Sequence, residues 1–340
     1  MDSLTQVALG AAVGEAVAGP RLGRRAALWG AVAGTIPDLD VLAYPFLDPA
    51  GQLIVHRGLT HGLAFGLVAG AALGWAGWRL ARWRSASTGR DPGTPGLWVA
   101  LWTLALTTHP LLDVFTVYGT QLLAPFSRHP FAVGSVFIVD PLVTVPLAAG
   151  LAGALWAGAR ARARGLALAG LAVAGAYLAL GLGLQAEARG TVAEALAARG
   201  VAAERVLVVA GPLSSLVWRG VAEAEGQALP FSLHVLDAPA EVRFDPPVPL
   251  ADLPPALAAS RTGRTLRWFS RDWLVRVPDA AGLVVADARF GRLGLDADDP
   301  WVFRWRIAPE APYPFSQLPS APAFEDGEWG RLLARVVRAR

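Results

Sequence analysis

The chain has 340 residues, is 54% hydrophobic and has a mean hydropathy of +0.42, which is unusual for a water-soluble protein of this size. It has no cysteine, so disulfides and thiolate metal sites are excluded, and no lysine, so its 30 strong bases are all arginine. The net charge is only +3; the high pI reflects arginine excess and is no evidence for a nucleic-acid partner.

Length alone suggests about two domains, and charge places the division. Residues 1–186 carry 12 Arg and 8 acids, and residues 187–340 carry 18 Arg and 19 acids. We read 1–186 as a membrane-embedded helical domain and 187–340 as a small α+β soluble domain. Six apolar stretches lie in the first part, at 4–19, 26–47, 59–78, 97–118, 136–157 and 165–185. A span needs roughly 20 apolar residues, so five qualify, and the short first stretch is a tilted or re-entrant helix. Ala16-Val17-Ala18 looks like a signal-peptide cleavage site. Asp2 and the lack of a positive n-region argue against cleavage. The expected fold is a mainly α, polytopic bundle of about six spans.

Arginine in the short loops sets orientation. Ten (Arg21, Arg24, Arg25, Arg79, Arg82, Arg84, Arg90, Arg160, Arg162 and Arg164) fall on one side, and only Arg57 and Arg128 on the other. The ten mark the cytoplasmic face, so 187–340 is expected outside. Trp29, Trp75, Trp78, Trp98 and Trp156 near span ends read as interfacial anchors. In 187–340, short alternating runs at 205–209, 215–222, 231–236, 273–277, 283–288 and 301–307 read as antiparallel strands. Helices are expected over 253–260 and 329–338.

Ionisable residues inside the apolar part are costly and functional by default. His56 and His61 are five apart and meet one centre only if the chain turns, which Gly58 permits. His109 and Asp113 are four apart in a helix and share a face. Asp38 and Asp40 follow Pro37 in a stretch that suits extended or broken-helix backbone. At about 1.5 Å per helical residue, His61 lies at the outer surface, Asp113 and Asp140 one turn in, and His109, Asp38 and Asp40 roughly 10–14 Å in. All six fall in the outer part of the membrane, although the loop rule used arginines alone. Three His and four Asp suit one catalytic divalent ion with acid/base neighbours, or a two-metal centre; zinc is the expected ion. Asp38 and Asp140 are the candidates for proton transfer, with Asp140 and Asp2 outside the ligand layer. Glu15 lies towards the inner side and is expected to pair with an arginine. His129 sits in a loop, and His234 is structural.

These segments also resemble a known family. Met1-Asp2-Ser3-Leu4-Thr5-Gln6, Gly34-Thr35-Ile36-Pro37-Asp38-Leu39-Asp40, His56-Arg57-Gly58-Leu59-Thr60-His61, Thr108-His109-Pro110-Leu111-Leu112-Asp113, Tyr118-Gly119-Thr120-Gln121 and Val139-Asp140-Pro141 are similar to the membrane-bound metal-dependent hydrolases. That family is also labelled LexA-binding, inner-membrane-associated hydrolase. A looser likeness continues through Leu216-Val217-Trp218-Arg219 and Trp268-Phe269-Ser270-Arg271. The resemblance implies a multi-pass protein of the bacterial inner membrane. It implies metal ligation by Asp38, Asp40, His56, His61, His109 and Asp113. Many members have His where this chain has Gln6, and Ser where it has Gly62. Three functions follow. The first is a membrane metallohydrolase acting on a lipid or an envelope ester or phosphoester. The second is a His/Asp relay transporter, and the third a non-catalytic membrane protein that binds a LexA-like protein partner through its arginine loops.

Overall fold

A computed structural model describes residues 1–292 and 298–319, together with Gly330, Ala334 and Val336. It divides into two compact units. The first comprises Met1–Ala43, Val55–Val133 and Ile138–Leu180. The second comprises Tyr44–Ile54, Gly134–Phe137 and Gly181–Arg340, within the described residues.

The first unit is helical. Helix α1 (Ser3–Leu22) starts where the Asp2 carboxylate accepts the Thr5 N–H, and stops at Gly23 with φ +60. It packs on α2 (Arg25–Thr35) through glycines at Gly10, Gly14, Gly30 and Gly34. A Cβ on Gly30 would stand 2.1 Å from the Gly10 carbonyl oxygen, so the two backbones touch directly. Pro37 opens a 3-10 stretch, Pro37–Phe46, after which the chain passes into α3 (Pro49–Val55), counted up to Ile54 with the second unit. A short 3-10 turn over Leu59–His61 leads into α4 (Leu63–Thr88). Helix α5 (Pro95–Asp113) is capped by Thr94, begins with proline, and ends in the Thr-His-Pro segment. Gly66, Gly70 and Gly74 of α4 face Thr107, Thr103 and Val99 of α5 at close range. Helices α6 (Pro141–Trp156) and α7 (Arg160–Ala198) meet at Gly150 and Gly170. Large apolar side chains such as Leu28, Leu67, Val68, Val145, Val173 and Trp156 stay exposed around these helices. In a membrane bundle those are the surfaces that lipid covers. Among the described residues three segments are long and apolar enough to cross a membrane: Arg25–Phe46, Leu63–Thr88 and Arg160–Ala198.

Two sequence readings are revised here. Trp98 is no interfacial anchor: it is buried, its ring lies 5.7 Å from that of Trp29, and its indole donates to the Pro92 carbonyl. Its ring belongs to the α1–α2–α5 core with Leu101 and Trp102. Among the described residues Glu15 has no arginine partner; it is buried against the Gly19 backbone with Oε2 unbonded.

The second unit is antiparallel β with helices. The first sheet runs β1 (Arg205–Ala210), β2 (Val217–Ala224), β3 (Gln227–His234) and β4 (Arg243–Phe244), with β5 (Val248–Pro249) also on β3. Short helices α8 (Pro255–Ala258) and α9 (Arg261–Ser270) follow. The second sheet is β6 (Leu274–Val277), β7 (Leu283–Asp287), β8 (Arg304–Ile307) and β9 (Phe315–Gln317). Alternation divides the faces of β2. Trp218 and Ala222 pack with Ala188, Val192 and Leu196 of α7. Val221 packs with Trp273, Val275 and Ala286 of the second sheet. The helix expected over 329–338 lies, apart from Gly330, Ala334 and Val336, outside the described residues.

Candidate metal centre

Four side chains from three elements of the first unit converge. Asp38 comes from the 3-10 stretch after Pro37, and His61 from the turn ahead of α4. His109 and Asp113 occupy one face at the end of α5. One ligand atom of each lies within 4.8 Å of the corresponding atom of every other. His61 Nε2 stands 3.4 Å from Asp38 Oδ1 and 3.4 Å from Asp113 Oδ2. His109 Nε2 stands 3.3 Å from Asp38 Oδ1 and 3.5 Å from Asp113 Oδ2. The two imidazole rings are 5.0 Å apart. His61, His109 and Asp113 are buried, and Asp38, with 25% of its side chain exposed, forms the accessible side.

The surrounding hydrogen bonds fix which atoms face the centre. His109 Nδ1 lies 2.6 Å from the Gly34 carbonyl oxygen, which can only accept, so the ring proton sits on Nδ1. Thr60 donates its hydroxyl to the Pro37 carbonyl at 2.9 Å, leaving its oxygen to accept from His61 Nδ1 at 3.2 Å. Both histidines therefore turn an Nε2 lone pair inward, a tautomer assigned from this network. Asp113 is held by its other oxygen: Oδ1 accepts from Gln6 Nε2 at 3.0 Å and from the Met1 amine, with Arg57 Nη2 at 3.4 Å. As a result His61 Nε2, His109 Nε2 and Asp113 Oδ2 are all buried without a hydrogen-bond partner. Three inward-facing acceptors with nothing to accept from are costly unless a cation answers them.

A second layer orients the first. Asp40 accepts the Arg57 backbone N–H at 2.9 Å, lies 3.1 Å from His56 Nδ1, and stands 3.6 Å from His61 Nδ1. Arg57 sends its guanidinium to Asp113 and to the Thr116 hydroxyl, at 2.8 Å, and lies over the Tyr118 ring. Its φ of 54 is a left-handed conformation, which costs a non-glycine residue on the order of 1–2 kcal/mol.

Set against the sequence reading, Asp38, His61, His109 and Asp113 come together, while His56 and Asp40 stand one layer out. Asp140 and Asp2 do not reach the cluster. Asp140 caps α6, accepting from Leu142 N–H and from the Tyr177 hydroxyl at 3.0 Å each. Asp2 caps α1 and bonds Thr5. His129 is exposed, and His234 accepts from the Leu236 N–H in its own loop. Sequence reasoning gave no role to Thr60 and noted Gln6 only as a departure from the resembled family. Gln6 supplies an amide donor where many members of the resembled family have His. Gly62 has its own reason: a Cβ there would meet the Ala124 carbonyl oxygen at 2.4 Å, so a serine would not fit this backbone.

The donor set fits a divalent ion. A tetrahedral zinc with bonds of about 2.0–2.1 Å separates neighbouring donor atoms by about 3.3–3.4 Å. The four His–Asp separations of the cluster span 3.3–3.5 Å. Two neutral imidazoles and two carboxylates also match the ligand preferences of zinc and similar ions.

Comparison with known proteins agrees with this assignment to a membrane. Residues 1–188 match the family model described as YdjM inner membrane protein. Over 160 residues the chain is 32% identical to YfhP of Bacillus subtilis (strain 168), described as uncharacterized, covering 45% of this chain and 46% of that one. Over 125 residues it is 33% identical to the inner membrane protein YbcI of Escherichia coli (strain K12), covering 36% of this chain and 64% of that one. The chain thus spans about half to two thirds of the length of these relatives. No solved structure matches. With the family match spanning more than half of the chain and taking in every residue of the His/Asp cluster, the protein belongs to the YdjM inner membrane protein family.

Proposed function

We propose that this protein is an integral-membrane, metal-dependent hydrolase. Its substrate would be a lipid or an envelope ester or phosphoester at the outer membrane–water boundary. The observation that carries this reading is the set of inward-facing acceptors, His61 Nε2, His109 Nε2 and Asp113 Oδ2, clustered with Asp38 and lacking any donor. Asp38, His61, His109 and Asp113 would hold the ion, with zinc the best match in chemistry and spacing. A bound divalent ion supplies Lewis acidity and lowers the pKa of a water towards about 7. The chain's own groups do the rest. Asp40 and Thr60 hold His61 in its tautomer, and Gly34 does so for His109. Gln6 and Arg57 engage Asp113 Oδ1, so that Oδ2 stays turned inward. Asp38, whose Oδ1 faces both histidines from the accessible side, would take a proton from an attacking water.

The six-pass arrangement and an extracytoplasmic C-terminal domain belong to the same proposal, supported by the ten-to-two arginine asymmetry. A reporter that works only after export, fused at the C-terminus, checks the orientation. The activity itself is tested by presenting purified protein with a panel of lipid and envelope phosphoesters and carboxylic esters. Hydrolysis should require added metal and disappear in His109→Ala and Asp38→Asn. Hydrolysis that survives chelation and both substitutions would remove the proposal.

A further inference from the structure

In the second unit, Arg219 stands without an answering charge among the described residues. Arg219, in β2 of the second unit, projects from the strand face that also carries Val221, towards the second sheet. One Nη approaches Gly291, and the guanidinium lies 5.5 Å from the Phe137 ring centre. It makes no hydrogen bond or ion pair among the described residues, and its Nε is buried without a partner. Burial alone lowers its pKa, to about 10, with no carboxylate among the causes. Two other arginines of this unit have carboxylate partners. Arg289 forks onto Asp287 at 2.7–3.1 Å, and Arg205 pairs with Glu223. A second unanswered donor stands two residues from Phe137: the hydroxyl of Ser135, fully buried and unbonded. The 134–137 segment is fixed against β1, since the Ala210 N–H donates to the Gly134 carbonyl at 2.8 Å and the Ser215 hydroxyl to the Ser135 carbonyl at 2.9 Å. Arg219 sits opposite Val209 in the β1–β2 register, one residue from that attachment.

We propose that Arg219, assisted by the Ser135 hydroxyl, forms an oxyanion-binding site in the second unit that takes a phosphate group. A desolvated arginine without a carboxylate carries a penalty that an arriving anion removes, and its planar fork matches two oxygens of a phosphate. A buried hydroxyl offers one further donor to a third oxygen. Neither residue belongs to the His/Asp cluster, so the site stands or falls apart from the hydrolase reading.

The test uses the full-length protein in detergent with a chelator present, so that phosphate bound to metal contributes nothing. Thermal unfolding is followed by tryptophan fluorescence in sodium phosphate and in sodium chloride of equal ionic strength. The wild type should unfold several degrees higher in phosphate. Arg219→Met should lose that shift and, in chloride, unfold at or above the wild-type temperature, because it removes an uncompensated, half-buried charge. Should Arg219→Met fail to accumulate, Arg219→Gln makes the same comparison. Ser135→Ala should weaken phosphate binding by about 2- to 10-fold, the loss of one hydrogen bond. A parallel arm in nanodiscs identifies the source of the phosphate. Arg219-dependent stabilisation by phosphatidylglycerol but not phosphatidylcholine assigns the site to a lipid headgroup, and an equal response to inorganic phosphate in both assigns it to a soluble phosphate. A phosphate shift that persists in the Arg219 variant overturns the proposal, as does the absence of any response in every arm.

Discussion

Gly30→Ala adds a single methyl group at a membrane helix contact, and its consequence can be worked out from the backbone. The new Cβ would stand 2.1 Å from the Gly10 carbonyl oxygen and 2.9 Å from the Gly14 Cα. Both neighbours are backbone, so no side chain can rotate aside, and α1 and α2 must part by about 1 Å to restore normal contact. Overpacking of this kind costs about 1–3 kcal/mol, and we place this case at the upper end. The movement also reaches the metal centre, because α2 carries Gly34, whose carbonyl holds His109 Nδ1. Gly175→Ala in α7 is the matched control: a Cβ there meets nothing within 4 Å, so replacing a helical glycine should gain about 0.5–1 kcal/mol. Thermal unfolding of the purified proteins, with metal content measured on the same samples, makes the comparison. Gly30→Ala should unfold at least about 5 °C lower and hold less metal, while Gly175→Ala should match or exceed the wild type. If Gly30→Ala were as stable and as metal-loaded as the wild type, the direct backbone contact between α1 and α2 would be wrong.

Three other substitutions each have a distinct expected effect. Asp40→Asn should leave the bundle folded but weaken metal binding by about 10- to 100-fold, because it alters the partner of His56 and of the Arg57 N–H behind His61; metal titration against a competing chelator reads this. Asp140→Ala should cost about 0.5–2 kcal/mol through loss of the α6 cap and leave metal affinity unchanged; an affinity loss as large as that of Asp40→Asn would return Asp140 to the site. Asp287→Ala should destabilise the second unit by about 3–5 kcal/mol by leaving buried Arg289 without its carboxylate. Proteolysis of that unit at increasing temperature measures the loss.

The chain's spacing made part of this legible. His109 and Asp113 could be placed together because a helix repeats its face every four residues, and loop arginines put His61 and Asp38 at the same end of the spans. The ranking of the six ligand candidates was not legible, because it depends on a backbone conformation. Arg57 takes a positive φ between them, and His56 meets Asp40 at 3.1 Å while His61 faces the cluster beside His109. Asp140-Pro141 carried a readable signal that was given too little weight: an acid directly before a proline at a helix start is a cap. Strands β1, β2, β3, β6, β7 and β8 followed from alternation, with ends displaced by a few residues, while β4, β5 and β9 are too short to show it. Helix α9 was missed although Ser260, its cap, and the period of Thr262, Leu266 and Phe269 mark it. Glycines four apart, Gly10 with Gly14 and Gly30 with Gly34, were visible as a pattern, but their pairing across two helices became clear only from the packing.

The central claim is that Asp38, His61, His109 and Asp113 form one divalent-metal site. Its most direct test is metal analysis of the purified protein after zinc loading and removal of unbound ion, joined to X-ray absorption at the zinc edge. The account predicts about one ion per chain, bound only through nitrogen and oxygen at roughly 2.0–2.2 Å, and lost in His109→Ala. A protein that holds no ion after loading, or one whose ion stays with the same nitrogen ligation in His109→Ala, would contradict it.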